Sequence, residues 1–184
     1  MKICIIGYSG AGKSTLARAL SQELNIPCLH LDGVYWYGNW QHRPHEEVDS
    51  IVAQFARSNA NYIIEGNYRY AYPQRFEECD VLIFLAFNRF ACLRRAYSRY
   101  KKFKGRPRPD LPCPEKFDFE FAKWILWDGR TRSRRRGLYS AAHSCKGEVF
   151  IIKNQKQLDK CAFKLQLGFP DCAAPCHFDR REEV

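Results

Sequence analysis

Short unbroken apolar runs alternate along this chain with stretches in which apolar residues recur every three or four positions. KICII (2–6) is a β-branched run suited to a strand buried on both faces, and Leu16, Leu20 and Leu24 then follow helical spacing. IPCLHL (26–31) reads as a second strand ending at Asp32. Pro44 opens a helix whose Val48, Ile51, Val52 and Phe55 share one face. NYIIE (61–65) and DVLIFLAF (80–87) are further strands. Helical stretches over 89–102 and 115–136 are separated by GRPRPDLPCP. EVFIIK (148–153) is the last strand, and the helix beyond it carries Leu158, Ala162 and Leu165. The alternation predicts an α/β fold, a parallel sheet covered by helices on both faces, in one domain over 1–167. Ligands bind such a sheet outside the carboxyl ends of its strands. From Gly168 the periodicity stops, so 168–184 reads as an irregular tail.

The first turn of this scaffold carries a motif. Residues 7–15 read GYSGAGKST, which satisfies G-x-x-x-x-G-K-[ST] between a strand and a helix. Gly7, Ser9, Gly10, Ala11, Gly12, Lys13, Ser14 and Thr15 are therefore candidate ligands of a nucleoside triphosphate. Glycines let the loop wrap closely, so backbone N–H groups and the helix N-terminus face the phosphates. Lys13 is expected on the β- and γ-phosphates and the Ser14 hydroxyl on Mg²⁺. The guanine-reading N-K-x-D pattern is absent, which argues against a GTPase.

Composition is that of a globular chain, 46% hydrophobic and 27% charged, with no apolar run long enough to span a bilayer. MKICIIGYSG lacks signal-peptide character, which sets the expectation of a cytoplasmic protein whose nine cysteines are reduced. Cys172, Cys176 and His177 fit no common zinc spacing, and Cys4, Cys28, Cys79 and Cys92 read as small hydrophobes. The net charge of +10 is uneven: residues 89–136 hold sixteen Lys or Arg against five Asp or Glu, an excess of +11. That segment must meet something anionic. Its RPRPD stretch is a proline-stiffened connection suited to a lid, and Arg94, Arg95, Arg99, Arg106 and Arg108 are candidates to reach transferring phosphate. RTRSRRR (130–136) cannot place all its arginines on one helix face, so several are solvated.

If the strands are parallel, Gly7, Asp32, Glu65-Gly66-Asn67 and Asn88-Arg89 emerge on one edge. Glu65 is a candidate to hold magnesium through water, against the alternative of a surface strand-end acid. Asp32 has three roles open, on a metal water, on a substrate hydroxyl or as a cap, and its position behind an apolar strand favours the first two. Gly66 and Asn67 would let a substrate approach the backbone. In HLDGVYWYGNW (30–40), Gly33 and Gly38 are wrong for a helix interior, and four aromatics follow one carboxylate. The stretch reads as the aromatic floor of an acceptor pocket with Asp32 at its mouth and Trp36 as the ring that meets the acceptor.

IIGYSGAGKSTLA, LHLDGVYWYGNW, YIIEGNY, RPRPD followed by CPEKFDFEFAKWI, and the last strand with NQKQL, taken in this order, resemble a known family. They resemble the P-loop kinase-like proteins described as DNA topology modulation (FlaR-like) proteins, relatives of adenylate kinases. The likeness runs from residue 2 to about 166. It implies a nucleoside monophosphate kinase-like three-layer α/β/α fold with a five-stranded parallel sheet in order 2-3-1-4-5 and a lid near 100–114. It also implies ATP at Gly10 to Thr15, Glu65 in the Walker B position, and the loop around Asn154 near the adenine. FLAF carries Ala86 and Asn88 where related sequences often read aspartate and proline, so neither receives a catalytic role. The leading expectation is an ATP- and Mg²⁺-dependent kinase of a nucleotide, nucleoside or other small acceptor. The alternative is an ATP-binding protein that associates with nucleic acid through the +11 segment and affects DNA topology, although no DNA-binding motif is present.

Overall fold

The computed structural model describes residues 1–38, 40–108 and 110–166, with backbone alone for Pro107 and 162–166; the expected tail at 168–184 lies outside the described residues. Strand β1 (Lys2–Gly7) is followed by helix α1 (Lys13–Leu24), strand β2 (Cys28–His30) and helices α2 (Leu31–Tyr35) and α3 (His45–Ser58). Strand β3 (Tyr62–Glu65), helix α4 (Arg75–Glu78), strand β4 (Val81–Leu85) and helix α5 (Arg89–Phe103) come next. A hairpin of β5 (Pro107–Arg108) and β6 (Leu111–Pro114) leads to α6 (Phe119–Leu126), a 3₁₀ turn at Asp128–Arg130 and α7 (Arg132–Ser144). Strand β7 (Glu148–Ile152) and helix α8 (Gln155–Gln166) close the described chain.

Five strands form one parallel sheet in the order β2-β3-β1-β4-β7, the 2-3-1-4-5 order expected. Ile3, Ile5, Ile63, Leu82 and Ile83 are fully buried, which is why these strands read as unbroken apolar runs rather than alternating ones. Helix α1 packs on β1–β3 and on α8, while α4 and α7 pack together and onto β1 and β4. The helices thus cover two faces and give three layers.

Two elements differ from the sequence expectation. The second strand ends at His30 rather than at residue 31, and Asp32 stands in the first turn of α2 with its carbonyl accepting from Trp36 N at 3.1 Å. Gly33 lies inside that helix because a β-carbon there would sit 3.2 Å from the Asp110 carbonyl oxygen; the close passage of the hairpin outweighs helix propensity. The expected single helix over 115–136 is three elements. Asp118 caps α6 by accepting from Phe121 N at 2.8 Å, and Thr131 opens α7, which runs to Ser144. Arg130 fastens the turn between them, donating to the carbonyls of Ile125 (2.9 Å) and Phe87 (3.0 Å) with its guanidinium 3.8 Å from the Tyr8 ring centre. One arginine of the RTRSRRR run is therefore a structural tie.

Candidate active site

The sheet register brings the strand ends together: Ile5 and His30 both pair with Glu65, and Gly7 pairs with Leu85. The loop from Gly7 to Gly12 turns back on itself, Ala11 N donating to Tyr8 O at 3.0 Å, before α1 begins. Gly10 has φ of 78°, and a β-carbon there would lie 2.4 Å from the Cys92 carbonyl oxygen, so the loop packs against α5 only because this residue has none. Asn67 clamps the loop's start, accepting from Gly7 N (3.0 Å) and donating to Gly7 O (2.7 Å). Its amide therefore fixes the loop backbone. On the other side Trp124 Nε1 donates to Ser9 Oγ at 3.1 Å.

Lys13 Nζ lies 3.9 Å from Glu65 Oε1 and 3.5 Å from Tyr8 O. Glu65 is 1% exposed, with its second oxygen 3.0 Å from His30 Nδ1. Burial disfavours the charged imidazole, but hydrogen bonds with the Cys28 thiol and the Glu65 carboxylate outweigh it and raise the His30 pKa. Glu65 thus sits between Lys13 and His30. Asp32 faces the same centre and accepts from Tyr68 Oη at 2.9 Å. Burial, and then the charge of Glu65, push the Asp32 carboxyl up, while Lys13, the Tyr68 hydrogen bond and Arg108 pull it down. Tyr68 is itself pushed far up by burial and by Asp32, which keeps its hydroxyl a donor.

A cleft of about 1,460 Å³ opens over these groups. The loop from Ser9 to Thr15, Asp32, Trp36, Gly66, Asn67, Arg95, Arg99 and Arg108 all line it. The aromatic stretch forms one wall: Tyr35, Trp36 and Trp40 line the cleft, Trp36 meeting Tyr35 and Trp40 edge-on with centroids 4.8 and 5.4 Å apart. Tyr37 is instead turned outward beneath Arg43. Arg95 crosses the phosphate loop, donating to Ala11 O (2.7 Å) and to Gln155 Oε1 (2.6 Å).

Five sequence-predicted residues are not among those lining the cleft: Gly7 and Glu65 stand behind it, bonded to the lining residues Asn67 and Lys13, and Arg94, Arg106 and Asn154 lie away from it. Arg94 is exposed, because the helical step from Arg95 turns it roughly 100° away from the loop. Arg106 is exposed in the bend before the hairpin. Asn154 caps α8, accepting from Gln157 N at 3.0 Å, and Gln155, Leu158 and Asp159 line that end of the cleft instead. Asn88, given no catalytic role, caps α5. Sequence reading missed His30, Tyr68, Arg69, Trp124, Asp110, Glu115 and Arg18. Arg18 alone had a signal, lying one helical turn beyond Ser14 on the same face. Of the sixteen cations in 89–136, six line the cleft (Arg95, Arg99, Lys102, Arg108, Lys116 and Arg134), Arg130 is internal, and the other nine are exposed.

A glycine loop wound between a buried parallel strand and a helix, at the carboxyl edge of this sheet, defines a P-loop nucleotide-binding fold of the kinase type. The chain belongs to the family described as an AAA domain, whose model matches residues 3–107. Shikimate kinase of Bacteroides fragilis is 41% identical over 54 residues, 29% of this chain and 27% of that protein. Shikimate kinase of Bacteroides thetaiotaomicron is 37% identical over 54 residues, 29% of this chain and 28% of that protein. The chain spans about a quarter of the length of the curated relatives it matches. Among solved structures, shikimate kinase from Acinetobacter baumannii in complex with shikimate has a TM-score of 0.59 at 17% identity, over 90% of this chain and 92% of that one. Deoxyadenosine kinase from M. mycoides with bound dATP has a TM-score of 0.52 at 17% identity, over 90% and 98%. These structures share the fold.

Proposed function

We propose that this protein is a kinase that transfers the γ-phosphoryl group of ATP to a small acceptor held against Asp32 and the aromatic wall. The observation that carries the reading is one cleft with two unlike ends, a phosphate loop and a carboxylate with rings. Its volume of about 1,460 Å³ exceeds the roughly 300–1,000 Å³ of a single-ligand site, so it accommodates donor and acceptor together. The backbone of Gly10 to Thr15 cradles the phosphates, and Lys13, Arg99 and Arg108 stabilise the charge on the moving group. The acceptor oxygen attacks the γ-phosphorus in line, its proton passes to Asp32, and the bond to the β–γ bridging oxygen breaks to leave ADP. A carboxyl raised by burial suits that proton transfer. Trp36 and its neighbouring rings orient the acceptor and, with the hairpin, exclude water.

The donor set fits Mg²⁺: the Ser14 hydroxyl, with the Glu65 carboxylate through water, offers hard oxygens. Ser14 and Glu65 would hold the ion beside the nucleotide phosphates, and no group of three or more His, Cys, Asp or Glu among the described residues offers it another place. Once bound, it neutralises β- and γ-phosphate charge. The test is a panel of nucleosides, nucleotides and small alcohols offered with γ-labelled ATP. Transfer to one acceptor class is expected; ATP hydrolysis with no transfer to any would refute the kinase.

A second reading is association with nucleic acid, in keeping with the resemblance to topology modulation proteins. Nine exposed cations of 89–136 and the exposed rings of Phe90, Tyr97, Phe119 and Trp127 favour it. A DNA titration across salt concentrations separates the two readings, since phosphate-driven binding falls steeply with salt. No binding at low salt removes the second.

A further inference from the structure

Arg99 and Arg108 enter the cleft, and both are engaged by acids from the hairpin. Glu115 takes one arginine on each oxygen. Its Oε1 lies 2.9 Å from both Nε and Nη2 of Arg99, and its Oε2 lies 2.9 Å from Arg108 Nε. Asp110 stands on the far side of Arg108, 3.5 Å from its Nη1, and reaches Arg18 Nη1 on the phosphate-loop helix at 3.4 Å. Glu115 and Asp110 are each only 5% exposed, so neither is a casual surface pair. The backbone anchors the hub as well, with Glu115 N donating to Arg106 O at 3.1 Å.

We propose that Glu115, assisted by Asp110, is a positioning residue that holds Arg99 and Arg108 in the attitude in which they meet the phosphates. The inference rests on the phosphate-binding reading of the cleft. Two guanidinium groups in a poorly hydrated site repel, and without an anion between them they would separate. A guanidinium has five N–H donors, so Arg99, met by Glu115 along its Nε and Nη2 edge, keeps Nη1 for a ligand, and Arg108, with Nε beside Glu115 and Nη1 beside Asp110, keeps Nη2. The RPRPD and CPE stretches thereby act as one device, the first supplying an arginine and an acid, the second the acid that joins that arginine to α5.

The opposite possibility is that the acids compete with phosphate for the arginines, and the two ideas differ in sign. Removing a negative charge tightens anion binding if the acids compete, and loosens it if they position. Calorimetric titration with inorganic tripolyphosphate needs no acceptor and no turnover. Glu115→Gln is expected to weaken tripolyphosphate about tenfold, and Glu115→Asp, which keeps the charge, to stay within about threefold of wild type. Equal or tighter binding by Glu115→Gln, or an equal loss in Glu115→Asp, overturns the proposal. If circular dichroism shows that Glu115→Gln does not fold, Asp110→Asn decides: a loss of about threefold is expected, and equal or tighter binding overturns it. A wild-type protein that binds neither tripolyphosphate nor ATP overturns the phosphate-site reading itself, whereas the sign of the variant effect bears on positioning alone.

Discussion

Replacing Gly137 by alanine should stabilise the protein while damaging the site. Gly137 lies within α7, and a β-carbon there would sit 2.4 Å from both Cζ and Nη1 of Arg69, a cleft residue. Glycine inside a helix costs about 0.8–1 kcal/mol relative to alanine. The obstruction is the far end of a flexible, exposed side chain rather than backbone, so Arg69 swings aside and most of the helix gain survives. For a chain of this size, about 1 kcal/mol corresponds to roughly 2–4 °C in Tm. An ordinary carbon contact needs about 3.5 Å, so the guanidinium must withdraw by at least about 1 Å. Misplacement on that scale should raise the acceptor KM severalfold and leave ATP affinity intact. Thermal melts and acceptor titrations read the two effects separately. A fall in Tm would show that Arg69 is locked in place, and an unchanged acceptor KM would show that Arg69 does not serve the acceptor.

Three further outcomes are expected. Arg75, 1% exposed, donates to the carbonyls of Gly66 (3.5 Å), Tyr68 (3.0 Å) and Tyr72 (3.5 Å), so Arg75→Met should cost about 2–4 kcal/mol in urea unfolding by orphaning them; a loss below about 1 kcal/mol would contradict this. Saturating ATP at a hundred times its Kd should stabilise wild type by about 2.7 kcal/mol, whereas Lys13→Met should gain nearly nothing; equal shifts would remove Lys13 from the phosphate site. Trp36→Ala should weaken acceptor use with ATP affinity nearly unchanged, and parallel loss of both would make Trp36 a packing residue.

The strands themselves, the phosphate loop and the strand-end acids were legible in the sequence because each depends on neighbours in the chain, whereas the order of the strands was implied by the family resemblance alone. A strand buried on both faces needs an unbroken apolar run such as Ile3–Ile6, and a loop around phosphate needs glycines at fixed spacing. The parallel topology then carries Asp32 and Glu65 to the edge where Gly7 emerges. Which of the many arginines face the cleft was not legible. Arg94 and Arg95 are adjacent in sequence and differ only in helical phase, and Arg130 looks like its neighbours yet is bound to Phe87 O and Ile125 O inside the protein. The acids that hold Arg99 and Arg108, and the Tyr68 hydroxyl on Asp32, join residues up to 36 positions apart. Local pattern encodes the elements, but a buried charge chooses its partner only where the folded chain excludes water, and that choice is made by tertiary structure.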